Sequence, residues 1–197
     1  MPSFKNGDVE IAYLDEGECE PVLLIHGFAS NRVVNWVNPG WVATLNAAGR
    51  RAIAFDNRGA GRSDKPFGAY SLEQMADDAI AVLDAAGADR AHIVGASMGG
   101  AITQIIGFKY PDRVSSLTLV CTACRNHVWR RELLQNWATT ATERGMSAMA
   151  REAARWVIGP RSFRRLLPAF GWLGPFGSNR PAHAFAAQVR AILDADE

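Results

Sequence analysis

The sequence predicts an α/β protein with a mostly parallel sheet, helices on both faces and a helical cap. Two observations carry this expectation. Through the first 124 residues, short apolar, β-branched runs alternate with helix-length stretches, the texture of a parallel sheet covered on both sides. After residue 124 the alternation stops, and a region rich in Ala, Arg and Trp follows with helical patterning only. A chain of 197 residues has room for one such domain with a lid.

The elements follow in order. Residues 3–14 read as an antiparallel hairpin turning near Asn6-Gly7-Asp8. The runs VLLI (22–25), RAIAF (51–55), AHIV (91–94) and LTLV (117–120) are continuous and apolar, as in strands buried on both faces; the last belongs to a buried strand over 115–123. Leu72, Met75, Ala76, Ala79, Ile80 and Leu83 repeat at helical spacing, so residues 71–87 predict a helix with one buried stripe. Ser71 suits its N-cap and Gly87 its C-terminal end. Residues 99–110 predict a second helix, apolar nearly all round, packed deep and stopped by Pro111.

Charge divides the chain in the same place. Residues 125–190 hold eleven arginines against three acids, whereas residues 1–124 hold ten basic residues against fourteen acidic ones. The expected organisation is a core over 1–124, a cap over 125–190 broken at Gly159-Pro160 and Gly174-Pro175, and the start of a return to the core over 191–197. Arg151, Arg155, Arg161, Arg164 and Arg165 admit three readings: a solvated face, attraction of an anionic substrate such as a carboxylate-bearing lactone, or an anionic membrane or partner. Trp129, Trp137, Trp156 and Trp172 read as lid core, some of them facing a pocket.

Composition excludes several classes. With 48% hydrophobic and 21% charged residues, disorder is excluded, and a net charge of +1 excludes a polybasic nucleic-acid binder. The three cysteines, Cys19, Cys121 and Cys124, make no disulfide framework, and Cys121-x-x-Cys124 has no second pair to complete a metal site. The sequence opens without a basic segment leading into an apolar run and has no stretch long enough to span a bilayer; a cytoplasmic location is the expectation.

The strongest chemical signal is Gly95-Ala96-Ser97-Met98-Gly99-Gly100, set between a strand and an apolar helix. A serine at the apex of so sharp a turn has a strained backbone, and the positions two residues away on each side must lack side chains for strand and helix to close up. The turn also puts Ser97 at a helix N-terminus, where backbone N–H groups favour developing negative charge. The bland alternative is a Gly-rich turn with a bystander serine. His26-Gly27-Phe28 leaves the strand VLLI; His26 reads as a loop brace and not a base, and Gly27 as a point of close backbone approach. Residues 56–66 (DNRGAGRSDKP) lack the phosphate-loop pattern and read as a tight scaffold turn.

LLIHGFAS, AFDNRGAGRSDKP, GASMGG and YPDRVSSLTLV, in this order and spacing, resemble the α/β-hydrolase fold superfamily, in the branch of esterases, enol-lactonases and cofactor-free haloperoxidase-like proteins. The resemblance covers about residues 10–123, and the later region resembles that family's cap. It implies Ser97 as nucleophile, with the backbone N–H groups of Phe28 and Met98 holding the oxyanion. It implies a small-molecule ester or lactone as substrate and no metal or organic cofactor. Ser97 in place of Asp argues against epoxide opening and halide displacement, and Ala96 in place of Asn against carbon–carbon bond hydrolysis. Ala60 stands where many relatives have histidine. Carbon–carbon hydrolysis or perhydrolysis, and a non-catalytic ligand receptor on the same fold, are the alternatives.

A serine nucleophile needs a base, and the base an orienting acid. The family order is serine, acid, histidine. Only His127 and His183 follow Ser97, and no strand-like run follows residue 123. Pairing His183 with Asp194 or Asp196 would put the acid after the histidine on or beside one helix. The sequence therefore predicts that the C-terminal strands are absent, about two strand-helix units of roughly 30 residues each. Two consequences are expected: an open sheet edge at 115–123 available for self-association, and a site reduced to residual catalysis.

Overall fold

The computed structural model describes residues 2–157 and 181–195. The expected breaks at Gly159-Pro160 and Gly174-Pro175, together with Arg161, Arg164, Arg165 and Trp172, lie outside the described residues.

Six strands form one sheet in the order β1-β2-β4-β3-β5-β6. The hairpin joins β1 (Ser3–Asn6) to β2 (Val9–Glu16), with Asn6 opposite Val9 and Gly7 at φ 60° in the turn. β2 pairs antiparallel with β4 (Arg51–Phe55), whereas β3 (Pro21–Ile25), β4, β5 (Ala91–Ala96) and β6 (Val114–Val120) run parallel. The continuous apolar runs have a simple cause. Successive side chains of a strand point to opposite faces, and here both faces are covered. Leu23, Ile25, Ile53, Phe55 and Ile93 join one buried cluster, and Val22, Leu24, Ala52 and Ala54 join the other.

The first face receives α2 (Leu72–Ala85) and α3 (Met98–Lys109). The Ser71 hydroxyl caps α2 by accepting from the Gln74 N–H at 3.0 Å, as its sequence position implies. The second face receives a π-helical turn over Val33–Val37 and α1 (Trp41–Ala47), through Trp36 and Val42. Neither element was anticipated. Both are short, α1 is capped by Gly40 without a side-chain hydrogen bond, and their apolar residues make no full helical repeat.

Beyond β6 come α4 (Val128–Arg144), α5 (Met146–Val157) and α6 (Ala182–Asp194). Phe185, Val189 and Ile192 of α6 are buried in the first cluster, and residue 190, where the sequence divides cap from core, falls inside this helix.

Three expectations need correction. The strand expected to be buried over 115–123 ends at Val120, and Leu117, Leu119 and Val120 are exposed. It pairs with β5 alone, so no described element covers its outer side. Helix α3 is not buried all round: Phe108 is 92% exposed. Of the tryptophans, only Trp137 behaves as lid core among those described. Trp129 and Trp156 are exposed and stack on each other, with ring centroids 6.5 Å apart. Arg151 and Arg155 are exposed, consistent with the solvated reading. No described helix is long and apolar enough to cross a membrane.

Candidate active site

Strand β5 ends at Ala96 and α3 begins at Met98, which leaves Ser97 alone to turn the chain. It does so at φ 53° and ψ −115°, a conformation that costs a non-glycine residue of order 1–3 kcal/mol. Its surroundings hold it there. The Ser97 N–H donates to Val120 O at 2.8 Å, and its carbonyl accepts from Gly100 N–H at 2.9 Å and the Thr122 hydroxyl at 2.8 Å. Close approach explains the flanking glycines: a Cβ on Gly95 would fall on Gly99 O and Thr103 Oγ1, and one on Gly99 would fall on Ile25 O.

The loop leaving β3 lies against this turn. A Cβ on Gly27 would be 3.2 Å from Ser97 Cβ and 3.1 Å from Ala96 O. The Gly27 N–H is already used, donating to Asn35 Oδ1 at 2.9 Å. No described residue accepts a hydrogen bond from the N–H of Phe28 or of Met98. The Phe28 ring packs on Phe185 of α6, with centroids 4.7 Å apart.

His26 is wholly buried and braces this loop. Its Nε2 accepts from the Asn57 backbone N–H at 2.9 Å, so the proton sits on Nδ1 and is donated to Gly27 O at 2.8 Å. A ring whose Nε2 lone pair is engaged by a backbone N–H is no free base. The 56–66 turn is likewise scaffold. Asp56 holds the buried Arg32 guanidinium and the Arg62 N–H, and the Ser63 hydroxyl bridges Asp56 O and the Ala12 N–H. Ala60 is fully buried.

Ser97 opens on a cavity of about 120 Å3, shared with Met98, Gln104, Thr122, Cys124, Arg125 and Arg130 among others. No described histidine forms a hydrogen bond with Ser97. His183 faces elsewhere: its Nε2 is 3.1 Å from Lys65 O and its ring stacks on Phe67 at 4.1 Å. That geometry overturns the pairing of His183 with Asp194; Asp196 lies outside the described residues. His127 is exposed at the N-cap of α4. Cys121 and Cys124 are exposed free thiols in the loop after β6, with Cys121 at φ 50°. Among the described residues no group of three or more His, Cys, Asp or Glu could hold a metal.

A family model described as the alpha/beta hydrolase fold matches residues 20–181. The chain belongs to the α/β-hydrolase fold family. The structure superposes on the enol-lactonase from Burkholderia xenovorans LB400 with a TM-score of 0.87 at 25% identity, covering 99% of this chain and 74% of that one. It matches a thermophilic esterase from Thermogutta terrifontis with a TM-score of 0.81 at 27% identity, covering 95% and 68%. In sequence it is 32% identical over 161 residues to "Putative carbamate hydrolase RutD" of Azorhizobium caulinodans, covering 82% of this chain and 59% of that protein. The chain thus spans about three fifths of that curated relative.

Within this α/β-hydrolase, Met98 follows Ser97 directly at the start of α3, and the loop that carries Phe28 approaches Ser97 at Gly27. The sequence did not single out Asn35, Asn57, Gln104, Arg125 or Arg130. The available signal was position: Thr122 follows β6, and Arg130 lies in the first turn of α4.

Proposed function

We propose that the protein hydrolyses a carboxylic ester or lactone through an acyl-enzyme on Ser97. The observation that carries this reading is the strained Ser97 turn beside two unengaged backbone donors, Phe28 N–H and Met98 N–H. Gly27 N–H cannot serve, since Asn35 occupies it.

In the first half-reaction Ser97 Oγ adds to the carbonyl carbon, and the carbonyl electron pair moves to an oxyanion held by the two N–H groups. Collapse expels the alkoxide, which leaves as an alcohol with the serine proton delivered through a base; in a lactone it stays tethered. Water then adds to the acyl-enzyme, and the carboxylic acid departs as Ser97 recovers its proton. The base and its orienting acid fall on no described residue.

The helices after β6 act in this reading as a cap over Ser97, and the open β6 edge, with Leu117, Leu119 and Val120 exposed, supports pairing with a second copy. Sedimentation velocity tests the latter: a dimer that dissociates in Leu119→Lys supports it, and a monomer at all concentrations refutes it.

Turnover of p-nitrophenyl butyrate tests the chemistry. Slow cleavage that is lost in Ser97→Ala is expected, since the base falls on no described residue. Ester binding without turnover, or turnover indifferent to Ser97→Ala, would instead favour the non-catalytic receptor or a different centre.

A further inference from the structure

We propose that Cys121 and Cys124 form a thiol-modification site, bridged by exchange with a low-molecular-weight disulfide, and that the bridge loosens the turn that carries Ser97. The effect on chemistry rests on the serine-hydrolase reading; the bridge itself does not.

Inside the buried strand expected over 115–123, Cys121 would be inaccessible. The strand ends instead at Val120, and both cysteines are free and exposed in the loop that follows. That loop is fastened to the serine turn at successive points. Val120 O accepts from the Ser97 N–H at 2.8 Å, the Thr122 hydroxyl donates to Ser97 O at 2.8 Å, and Gln104 Nε2 of α3 reaches Ala123 O at 3.5 Å. Thr122 is closely packed as well, since a Cβ on Gly100 would fall 2.5 Å from Thr122 Cβ. Cys124 lines the cavity that Ser97 opens on. The two thiols therefore bracket the residue whose hydroxyl restrains Ser97.

A bridge is incompatible with the loop as it stands. The two thiols make no hydrogen bond to each other, and no described backbone hydrogen bond closes residues 121–124 into a turn. Bonded sulfurs lie about 2 Å apart, with Cα atoms about 4.4–6.8 Å apart, so joining residues three apart makes a tight turn of them. Cys121 already sits at φ 50°, a conformation that opposes a non-glycine side chain and that the ties on either side maintain. Drawing the sulfurs together moves Thr122 and Ala123, the two residues between them, and with them the hydrogen bond to Ser97 O.

The exchange balances with oxidised glutathione. One cysteine thiolate attacks a glutathione sulfur, and the S–S electron pair leaves on the first glutathione; the other cysteine thiolate then displaces the second glutathione from the mixed disulfide. Two protein thiols are oxidised, one external disulfide is reduced, and the two thiol protons pass to the two glutathione thiolates.

The protein is incubated with oxidised glutathione, its remaining thiols are blocked with iodoacetamide, and it is digested with trypsin. Cleavage after Arg113 and Arg125 gives one peptide that holds Cys121 and Cys124 and excludes Cys19. That peptide is expected to lose two hydrogens and to regain them with dithiothreitol. In the oxidised protein, hydrogen exchange at the Ser97 amide should rise about ten-fold. Fluorophosphonate labelling of Ser97 should slow about five-fold, the effect of losing one hydrogen bond. Both changes should be reversed by dithiothreitol, absent from Cys121→Ser and Cys124→Ser, and retained in Cys19→Ser. Unmodified thiols, a stable glutathione adduct on either cysteine, or a link to Cys19 or to a second chain overturns the site. A bridge that leaves Ser97 exchange unchanged overturns the coupling. Failure of the serine reading looks different: fluorophosphonate labels neither form while the bridge still speeds exchange at Ser97, an outcome that supports the thiol site alone.

Discussion

The Thr122 hydroxyl donates a hydrogen bond of 2.8 Å to the carbonyl oxygen of Ser97, tying the loop after β6 to the turn that carries the serine. A residue held at φ 53° needs such restraint, and this one is supplied from a different element. Thr122→Val keeps the shape and removes the donor. A loss of about 1 kcal/mol in urea unfolding is expected, together with slower acylation of Ser97. An unchanged unfolding midpoint with unchanged acylation would show that the tie is idle.

Gly99 and Gly107 lie on the same helix but should respond oppositely to alanine. A Cβ on Gly99 meets the backbone oxygen of Ile25, which cannot move without shifting β3. A Cβ on Gly107 meets the Leu117 side chain, which is 39% exposed and free to turn aside. Gly99→Ala should destabilise by about 3 kcal/mol or prevent folding. Gly107→Ala should stay within about 1 kcal/mol, because the gain in helix propensity offsets the displaced leucine. Thermal melts of both variants decide the matter.

Asp78 is fully buried and receives Arg58 through two bonds, of 2.6 and 2.8 Å, while Asn6 donates to it at 2.8 Å. Burial opposes the charged form of Arg58, but the Asp78 hydrogen bond outweighs it, and the guanidinium pKa is raised. Asp78→Asn leaves that cation without its counterion, at a cost of about 3–5 kcal/mol. Asp84→Asn, which breaks the exposed pair to Arg113, should cost no more than about 1 kcal/mol. Similar costs for the two in guanidinium unfolding would contradict this ranking.

Asp77 provides a pH signature. Burial works to raise its pKa, yet hydrogen bonds from Lys109 at 2.5 Å and the Tyr110 hydroxyl at 2.7 Å prevail, and the carboxyl titrates below its ordinary value. A depressed folded-state pKa contributes stability that is present above the unfolded value and lost as pH falls through the folded one. The gap in urea midpoint between wild type and Asp77→Asn should therefore be constant from pH 8 to 5 and close below about pH 4. A gap that widens in acid would reverse the sign.

The core of the fold was legible because its strands are covered on both faces: VLLI, RAIAF and AHIV each became a parallel strand, and Leu72 to Leu83 a helix with the expected buried stripe. The Ser97 turn was legible because its glycines answer to a steric demand visible in spacing alone. β6 lies at the sheet edge as expected of an open edge, but its apolar run does not mean coverage on both faces, since apolarity records what a strand can pack against and not whether a described neighbour is there.

Fluorophosphonate treatment of the folded protein, followed by digestion and mass mapping, tests the central claim most directly. A single adduct on the peptide carrying Ser97 is expected, abolished by Ser97→Ala and unaltered in His127→Ala and His183→Ala. No adduct in the folded protein, or one on another serine, would contradict the assignment of Ser97 as nucleophile.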